Sequence, residues 1–234
     1  MISLNLKDLV CGYGTRKVTG PLTCDVSGPS LIAVTGENGS GKSTLLKTIC
    51  GYQRPLSGTV TIDHLNVHEI NDRERARKIS LVGTGREASA GLDVISTIAL
   101  GRFAHRSGLG FSTHQETDIA RKQLFDWNLG HLASKRLFEL SDGEYQRVMI
   151  LRGLVQEASV LVLDEPTAFL DYKARAQLMK WLSILTEQKK TTVIFSTHDL
   201  NLVREYAQEI WHVSGTNVQR LTSDIRSFNP ESEA

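Results

Sequence analysis

Cysteine is scarce in this sequence, and its distribution argues against the usual cysteine-based frameworks. The 234 residues include three cysteines, Cys11, Cys24 and Cys50, an odd number without C-x-x-C spacing. A disulfide framework or a cysteine-ligated metal site is therefore not expected, and this cysteine usage is typical of a reducing compartment. We expect the three side chains to be small buried apolar groups.

Long apolar runs and a strong net charge are also missing. No run approaches the ~18 to 20 apolar residues of a membrane helix, and residues 1–7 alternate like a strand rather than like a signal peptide. We expect a soluble chain that acts at a membrane only through a partner. Lys plus Arg number 27 against 26 Asp plus Glu, so no overall field steers the molecule to nucleic acid or anionic lipid.

Apolar patterning predicts an α/β core. Residues 2–10 alternate apolar and polar side chains, as expected of a half-buried strand, and residues 22–26 repeat the alternation. Short apolar runs indicate further strands, several of them buried on both faces. Because helices alternate with the later strands, we expect a parallel sheet. The runs lie at 31–34, 59–62, 79–82, 160–163 and 192–195.

The strand pattern disappears between residues 93 and 140. The spacing of Val94, Ile98 and Leu124 predicts a helical insert of about 45 residues there. The chain length fits one domain that carries a subdomain. The polar tail, residues 223–234, is predicted to be frayed.

Residues 36–43, GENGSGKS, fit the phosphate-binding pattern G-x-x-x-x-G-K-S. This phosphate loop follows a predicted buried strand and precedes a helix predicted over 43–51. The N–H groups of such a loop surround phosphate oxygens, and the helix dipole favours the anion. We expect Lys42 to reach the β- and γ-phosphates and Ser43 to ligate magnesium. The predicted nucleotide-binding residues here are Gly36, Asn38, Gly39, Ser40, Gly41, Lys42, Ser43 and Thr44.

Two adjacent carboxylates, Asp164 and Glu165, follow the apolar run 160–163. They lie at the carboxyl end of a predicted strand, where doubly wound folds bind their ligands. Asp164 is predicted to hold magnesium through its water shell, and Glu165 to polarise an attacking water. An apolar run ending in Asp-Glu is weak evidence alone and strong evidence behind a phosphate loop.

Residues 140–144, LSDGE, have two interpretations. From Ser141 to Glu144 they fit the capping box that starts a helix. They also fit a second anion site, formed by the Ser141 hydroxyl and the Gly143 N–H at a helix N-terminus.

These motifs, and their order along the chain, resemble those of the ATP-binding subunits of ABC transporters. Residues 140–144 resemble the family's signature, usually LSGGQ, and are called the signature segment below. His198 resembles the switch histidine, and Tyr13 stands where the family stacks an aromatic ring on adenine. Residues 168–171, the crossing loop, resemble the loop that crosses the dimer interface. The resemblance covers nearly the whole chain.

The resemblance implies a fold and a mechanism. The fold is a P-loop NTPase (RecA-like) α/β core with a parallel sheet, an N-terminal antiparallel β subdomain and an α-helical subdomain inserted at about 93–157. Two copies pack head to tail, so that each ATP lies between one copy's phosphate loop and the other's signature segment. One chain therefore carries two half-sites, and loss of the γ-phosphate opens the dimer. The implied catalytic residues are Glu165 and His198, and the further nucleotide-binding residues are Asp164, Ser141, Gly143 and Asp171.

Softer matches in residues 91–105 and 198–202 resemble the ATPases of importers for iron–siderophore, haem and cobalamin. The implied partners are transmembrane permease subunits, which hold the ATPase at the cytoplasmic face of the membrane, and indirectly a substrate-binding protein. Part of one apolar face is expected to receive the permease's coupling helix, and the rest to be core. That face comprises Leu92, Val94, Ile98 and Phe103.

Two alternatives and two departures stand beside this prediction. A non-transport ABC ATPase of DNA repair or translation usually carries paired units or long coiled coils, and an exporter subunit would differ in cargo direction.

Thr84 stands where the importer group has Gln, and Asp142 and Glu144 stand where Gly and Gln are typical. Either Thr84 acts through a bridging water, or Ser43 and Asp164 hold magnesium with water filling the gap; we favour the second.

Overall fold

The computed structural model describes residues 2–86, 91–106, 113–222 and 225–228. Short 3₁₀ turns accompany the strands and helices, at Leu100–His105, Gly130–Leu132, Leu137–Glu139 and Ile225–Ser227. The strands and helices, in chain order, are β1 (Ser3–Tyr13), β2 (Arg16–Ser27), β3 (Leu31–Thr35), α1 (Lys42–Ile49), β4 (Ser57–Ile62), β5 (Leu65–Asn66), α2 (Asp72–Lys78), β6 (Ile79–Val82), α3 (Val94–Ala99), α4 (His114–Asp126), α5 (Asp142–Val155), β7 (Val160–Leu163), α6 (Tyr172–Lys189), β8 (Thr192–Ser196), α7 (Leu200–Tyr206), β9 (Glu209–Ser214) and β10 (Asn217–Leu221).

Two sheets form the framework. A four-stranded antiparallel sheet has the order β2-β1-β4-β5, and a six-stranded sheet has the order β10-β9-β3-β8-β7-β6. In the second sheet the strands from β9 to β6 pair in parallel, and β10 runs antiparallel to β9. All residues of β3, β7 and β8 are buried, as their continuous apolar character predicts. The predicted parallel sheet is confirmed.

The alternation of side chains along β3 divides the core in two. Leu31 and Ala33 pack on one face with α3 to α7, whereas Ile32 and Val34 pack on the other with α1 and the antiparallel sheet. Helix α1 is therefore held between two sheets, and this packing fixes where its first turn lies.

Side-chain caps explain where most helices begin. Each capping oxygen accepts a backbone N–H two or three residues later, which satisfies a donor that the helix leaves free. Helix α1 has no side-chain cap and starts after Gly41, whose φ is 107°. Within the described residues, none of the helices combines the length and apolar character needed to cross a membrane. The caps of α2 to α7 are Asn71, Asp93, Thr113, Ser141, Asp171 and Asp199.

The predicted frayed tail is wrong in part. Phe228 is 6% exposed and belongs to the core. Its carbonyl oxygen accepts hydrogen bonds from Arg204 at 2.8 and 3.1 Å. One aromatic residue thus anchors 225–228 despite their polar surroundings, because burying its ring offsets the cost of ordering the chain. The rest of the tail lies outside the described residues.

The three cysteines are free and buried, so the prediction for them is confirmed. Burial raises the pKa of Cys11 to about 11 and that of Cys24 to about 12. Burial likewise raises the pKa of the Cys50 thiol. These thiols stay protonated at neutral pH and behave as apolar packing groups.

Candidate active site

The phosphate loop connects β3 to α1 and requires glycine at two positions. Gly36 has φ 141° and Gly41 has φ 107°. A Cβ atom on Gly36 would lie 2.4 Å from the Val213 carbonyl oxygen, and one on Gly41 would lie 2.6 Å from Val18 Cγ1. The loop can therefore curl tightly against β9 and β2 only with glycine at these positions.

Lys42 lies inside the loop. Its side chain is 6% exposed, and Nζ donates to the carbonyl oxygens of Gly36 and Glu37 at 2.9 and 3.0 Å. Glu165 Oε1 lies 3.8 Å from Nζ. A buried cation with mostly neutral acceptors around it favours an anionic ligand.

Ser196 joins the two carboxylates that follow β7. Its hydroxyl donates to Asp164 Oδ1 at 2.6 Å and accepts the Glu165 N–H at 2.7 Å. Asp164 is 6% exposed, and Glu165 has a positive φ of 46°. Ser196 ends β8, the parallel neighbour of β7, so the two strand ends are joined. Ser196 does not emerge from the sequence analysis; its only signal there is a serine at the end of an apolar run.

His198 completes the cluster. Its Nδ1 lies 3.2 Å from Glu165 Oε2, and its side chain is 67% exposed. The preceding Thr197 donates its N–H to the Val34 carbonyl oxygen at 3.1 Å, which anchors this segment to β3. The carboxyl ends of β3, β7 and β8 thus bring together Lys42, Glu165 and His198, at the sheet edge where α/β folds bind ligands.

Tyr13 lies beside the first turn of α1. It ends β1, its side chain is 53% exposed, and its hydroxyl is 3.5 Å from Thr44 Oγ1. An exposed aromatic ring is therefore present next to the phosphate loop. Of the other predicted loop residues, Asn38, Gly39 and Ser43 are exposed.

The signature segment forms the start of α5, and its capping-box interpretation is confirmed. Ser141 Oγ accepts the Glu144 N–H at 3.3 Å. Glu144 Oε2 accepts the Ser141 N–H at 2.8 Å and the Ser141 hydroxyl at 3.0 Å. The hydrogen bond from the Ser141 backbone, followed by that from its hydroxyl, holds the pKa of Glu144 at about 2.

Two cations from outside the signature segment contact its carboxylates. Arg86 Nε lies 3.0 Å from Asp142 Oδ1, and the same guanidinium donates to the Leu140 carbonyl oxygen. Lys135 Nζ lies 3.2 Å from Glu144 Oε1. No sequence motif includes either cation: Arg86 lies 56 residues before Asp142, and Lys135 lies nine residues before Glu144, ahead of the signature segment.

The signature segment packs against the crossing loop. A Cβ atom on Gly143 would lie 2.9 Å from the Phe169 carbonyl oxygen. Asp171 caps α6 and accepts an N–H of its first turn at 2.8 Å. The described hydrogen bonds of Ser141 and Asp171 stay within the starts of their own helices and do not reach the phosphate loop. The predicted site residues thus fall into two groups within one chain.

Thr84 lies in the exposed loop after β6, where Gly85 has φ 94°. It lines a cavity of about 390 Å³ together with Tyr52 and Tyr145. Among the described hydrogen bonds, none joins Thr84 to Asp164.

The apolar face near α3 divides in two. Val94 and Ile98 are fully buried and belong to the core. Leu92 and Phe103 are 39% and 49% exposed. Phe103 and Leu100 line an apolar cavity of about 620 Å³ against α2. Of the four predicted groove residues, Leu92 and Phe103 are therefore the two that another molecule can contact.

Comparison with known proteins agrees with this geometry. The family model described as "ABC transporter" matches residues 20–168, more than half of the chain. The iron(3+)-hydroxamate import ATP-binding protein FhuC of Bacillus subtilis is 29% identical over 232 residues, which cover 96% of this chain and 86% of that protein.

Two solved structures have the same fold. An inward-facing structure described as a metal-chelate type ABC transporter has a TM-score of 0.81 at 26% identity, over 95% of this chain and 83% of that one. A dimeric ATP-binding cassette in a post-hydrolysis state, bound to ADP and Pi, has a TM-score of 0.84 at 25% identity, over 94% and 98%. The predicted P-loop NTPase fold is confirmed. With its family model, relatives and fold in agreement, the chain belongs to the ABC transporter family as one of its ATPase subunits.

Proposed function

We propose that this ATPase works as a head-to-tail dimer of two copies, with ATP held between them, and that it powers the import of a metal chelate. One observation carries the proposal: the chain presents Lys42, Glu165 and His198 in one cluster and Ser141 and Gly143 in another, and no described hydrogen bond or ion pair joins the two sets of side chains directly. Each cluster offers half of a nucleotide site, and a second copy supplies the missing half.

The first cluster is proposed to bind and activate ATP. Lys42 moves from its carbonyl acceptors to the β- and γ-phosphates, and the loop N–H groups surround them. The exposed ring of Tyr13 stacks on adenine. From the second copy, Ser141, Gly143 and Asp171 contact the same nucleotide.

Glu165 is the proposed base, and its position follows from two contacts. Ser196 holds its backbone, while His198 holds carboxylate oxygen Oε2 at 3.2 Å. Glu165 accepts a hydrogen bond from the attacking water and so orients it toward the γ-phosphate. His198, exposed at the same edge, is proposed to contact the γ-phosphate and to fix the carboxylate.

Magnesium is proposed to accompany ATP. Asp164 Oδ1 accepts a hydrogen bond from the Ser196 hydroxyl, and Ser43 is exposed at the first turn of α1. Carboxylate and hydroxyl oxygens are the hard donors that magnesium takes, with water completing its shell. When bound, the ion would neutralise charge on the phosphate oxygens. Ser43 and Asp164 would hold it.

The importer assignment rests on the comparisons. FhuC is named for iron(3+)-hydroxamate import, and the inward-facing neighbour for metal chelates. We propose cargo of the iron–siderophore, haem or cobalamin type, delivered by a substrate-binding protein to transmembrane permease subunits. The ATPase lies peripherally at the cytoplasmic membrane face, and exposed Leu92 and Phe103 contact the coupling helix. Within the chain, we propose that residues from about 93 to about 157 form a helical subdomain.

Substitution of Glu165 tests the site. Glu165→Gln keeps the hydrogen-bonding shape but removes the base, so we expect ATP hydrolysis to fall at least about a hundredfold. The same variant should form an ATP-dependent dimer on sizing with light scattering, whereas Lys42→Ala should form none. Glu187→Gln, on the exposed face of α6, is the matched control. Hydrolysis by Glu165→Gln at the wild-type rate would remove Glu165 from the assigned role.

A further inference from the structure

We propose that Arg86 and Lys135 are positioning residues that neutralise the two carboxylates of the signature segment, so that its helix N-terminus accepts the γ-phosphate bound by the partner copy. This inference rests on the proposed function, in which the signature segment faces the partner's ATP. Its basis is the pairing of each carboxylate with a cation from outside the segment.

The signature segment carries two negative charges close to the place where a phosphate is proposed to bind. Asp142 and Glu144 both lie in the first turn of α5. The free N–H groups and dipole of a helix N-terminus attract an anion, but carboxylates in the same turn repel it. With its pKa at about 2, Glu144 is ionised at neutral pH. Without compensation, the two carboxylates would weaken the binding of a phosphate to this segment.

Arg86 compensates Asp142 from a fixed position. Its Nε lies 3.0 Å from Asp142 Oδ1, and its guanidinium donates to the Leu140 carbonyl oxygen. The guanidinium carbon also lies 5.4 Å from the centre of the Tyr145 ring. The Arg86 and Asp142 side chains are 39% and 63% exposed, so water screens this pair, and three contacts of different kinds hold the cation at the start of α5.

Lys135 neutralises Glu144 through the carboxylate oxygen that the capping box does not use. Glu144 uses Oε2 for the capping box and turns Oε1 toward Lys135 Nζ, at 3.2 Å. The glutamate is only 18% exposed, so its charge is screened less by water than that of a surface group. The Lys135 ammonium therefore reduces the repulsion while the cap stays intact.

A charge-balance cycle tests the inference in Glu165→Gln chains, with ATP-dependent dimer formation as the readout. Arg86→Gln should raise the ATP concentration for half-maximal dimer at least about fivefold at low salt, and less at high salt because ions screen the uncovered carboxylate. Adding Asp142→Gly removes that carboxylate and should restore the midpoint to within about twofold. Lys135→Gln should be rescued by Glu144→Gln in the same way.

Two further variants separate charge from folding. Arg86→Lys keeps the charge and should dimerise much more like the parent than Arg86→Gln does. Arg121→Gln, which removes an exposed cation paired with Asp118 on α4, should change nothing. Thermal unfolding of each chain shows whether a variant is folded.

The outcomes distinguish this inference from the proposed function. A loss in Arg86→Gln that Asp142→Gly does not restore would overturn the inference, because Arg86 would then bind nucleotide itself or hold the fold. No effect of Arg86→Gln would also overturn it. If the Glu165→Gln parent forms no ATP-dependent dimer, the proposed function fails first, and the inference with it.

Discussion

Among single residues, Ser196 connects more of the site than its small size suggests. Its one hydroxyl group bridges the Asp164 carboxylate and the Glu165 N–H, at 2.6 and 2.7 Å. Ser196 is fully buried, so neither partner can replace it with bulk water. The orientation of the proposed base therefore depends on a residue that contacts no substrate.

Removing this hydroxyl should damage catalysis more than binding. Ser196→Ala leaves a buried N–H without its acceptor, at a cost of about 1–3 kcal/mol, and frees Glu165 to move. We expect kcat to fall about tenfold or more with a much smaller change in the KM for ATP. Steady-state kinetics and thermal unfolding measure both effects.

Ser183→Ala is the matched control for this substitution, because the described hydrogen bond of the Ser183 hydroxyl goes to the Met179 carbonyl oxygen within α6. Its kinetics should match those of the wild type. If Ser196→Ala also hydrolyses ATP normally, the serine bridge has no part in positioning Glu165.

Sequence patterns place residues well when the pattern is local. The phosphate loop and the Asp-Glu pair each follow a buried strand, so their place at one sheet edge follows from the parallel topology. Ser196 and Arg86 act on residues 31 to 56 positions away. Their contacts depend on which strands and loops become neighbours in the fold. The spacing of nearby residues in the sequence does not predict those neighbours.

At the scale of secondary structure, continuous apolar runs predict the bounds of fully buried strands better than alternation predicts those of half-buried strands. The runs at 79–82 and 160–163 match β6 and β7 residue for residue. Strand β1 extends to Tyr13, three residues past the predicted end at Val10. Its register shifts between Leu6 and Gly12 break the two-residue alternation that a sequence pattern detects.

Asp171 shows how one side chain can have a structural and a functional role. Its Oδ1 caps α6, so Asp171→Ala should lower the free energy of unfolding by about 1 kcal/mol. Asp171→Ser should restore the cap and the stability. We expect its ATPase activity to remain low, because the shorter side chain lacks the carboxylate proposed to reach the partner's nucleotide.

Chemical denaturation and ATPase assays separate the two roles of Asp171. Asn71→Ala, which removes the cap of α2, should cost similar stability and leave basal activity unchanged. Full recovery of ATPase activity in Asp171→Ser would show that Asp171 acts only as a helix cap and does not contact the partner's nucleotide.

At the scale of the whole molecule, the exposed half of the apolar face is the proposed contact with the permease. Phe103→Asp should leave the fold intact, because the side chain is 49% exposed, but should weaken cosedimentation with permease-containing membranes. Basal ATPase activity should change little. Ile98→Asp is the contrasting variant: it buries a charge in the core and should unfold the chain.

The location of the chain is tested by the same assay. The wild-type chain should pellet with membranes only when its permease is co-expressed. Equal sedimentation with and without the permease would remove the importer interpretation, and unfolding of Phe103→Asp would assign that residue to the core.

The central claim is that two copies share each ATP, and mixing two defective chains tests it most directly. Lys42→Ala disables the phosphate loop. Ser141→Asp keeps a good helix cap but puts a carboxylate in the proposed anion site. Each variant alone should be nearly inactive. In an equal mixture, random pairing would make half of the pairs mixed, and each mixed pair has one intact composite site, so the account predicts up to about a quarter of wild-type ATPase activity, well above that of either variant alone. A mixture no more active than the two separate variants would contradict it.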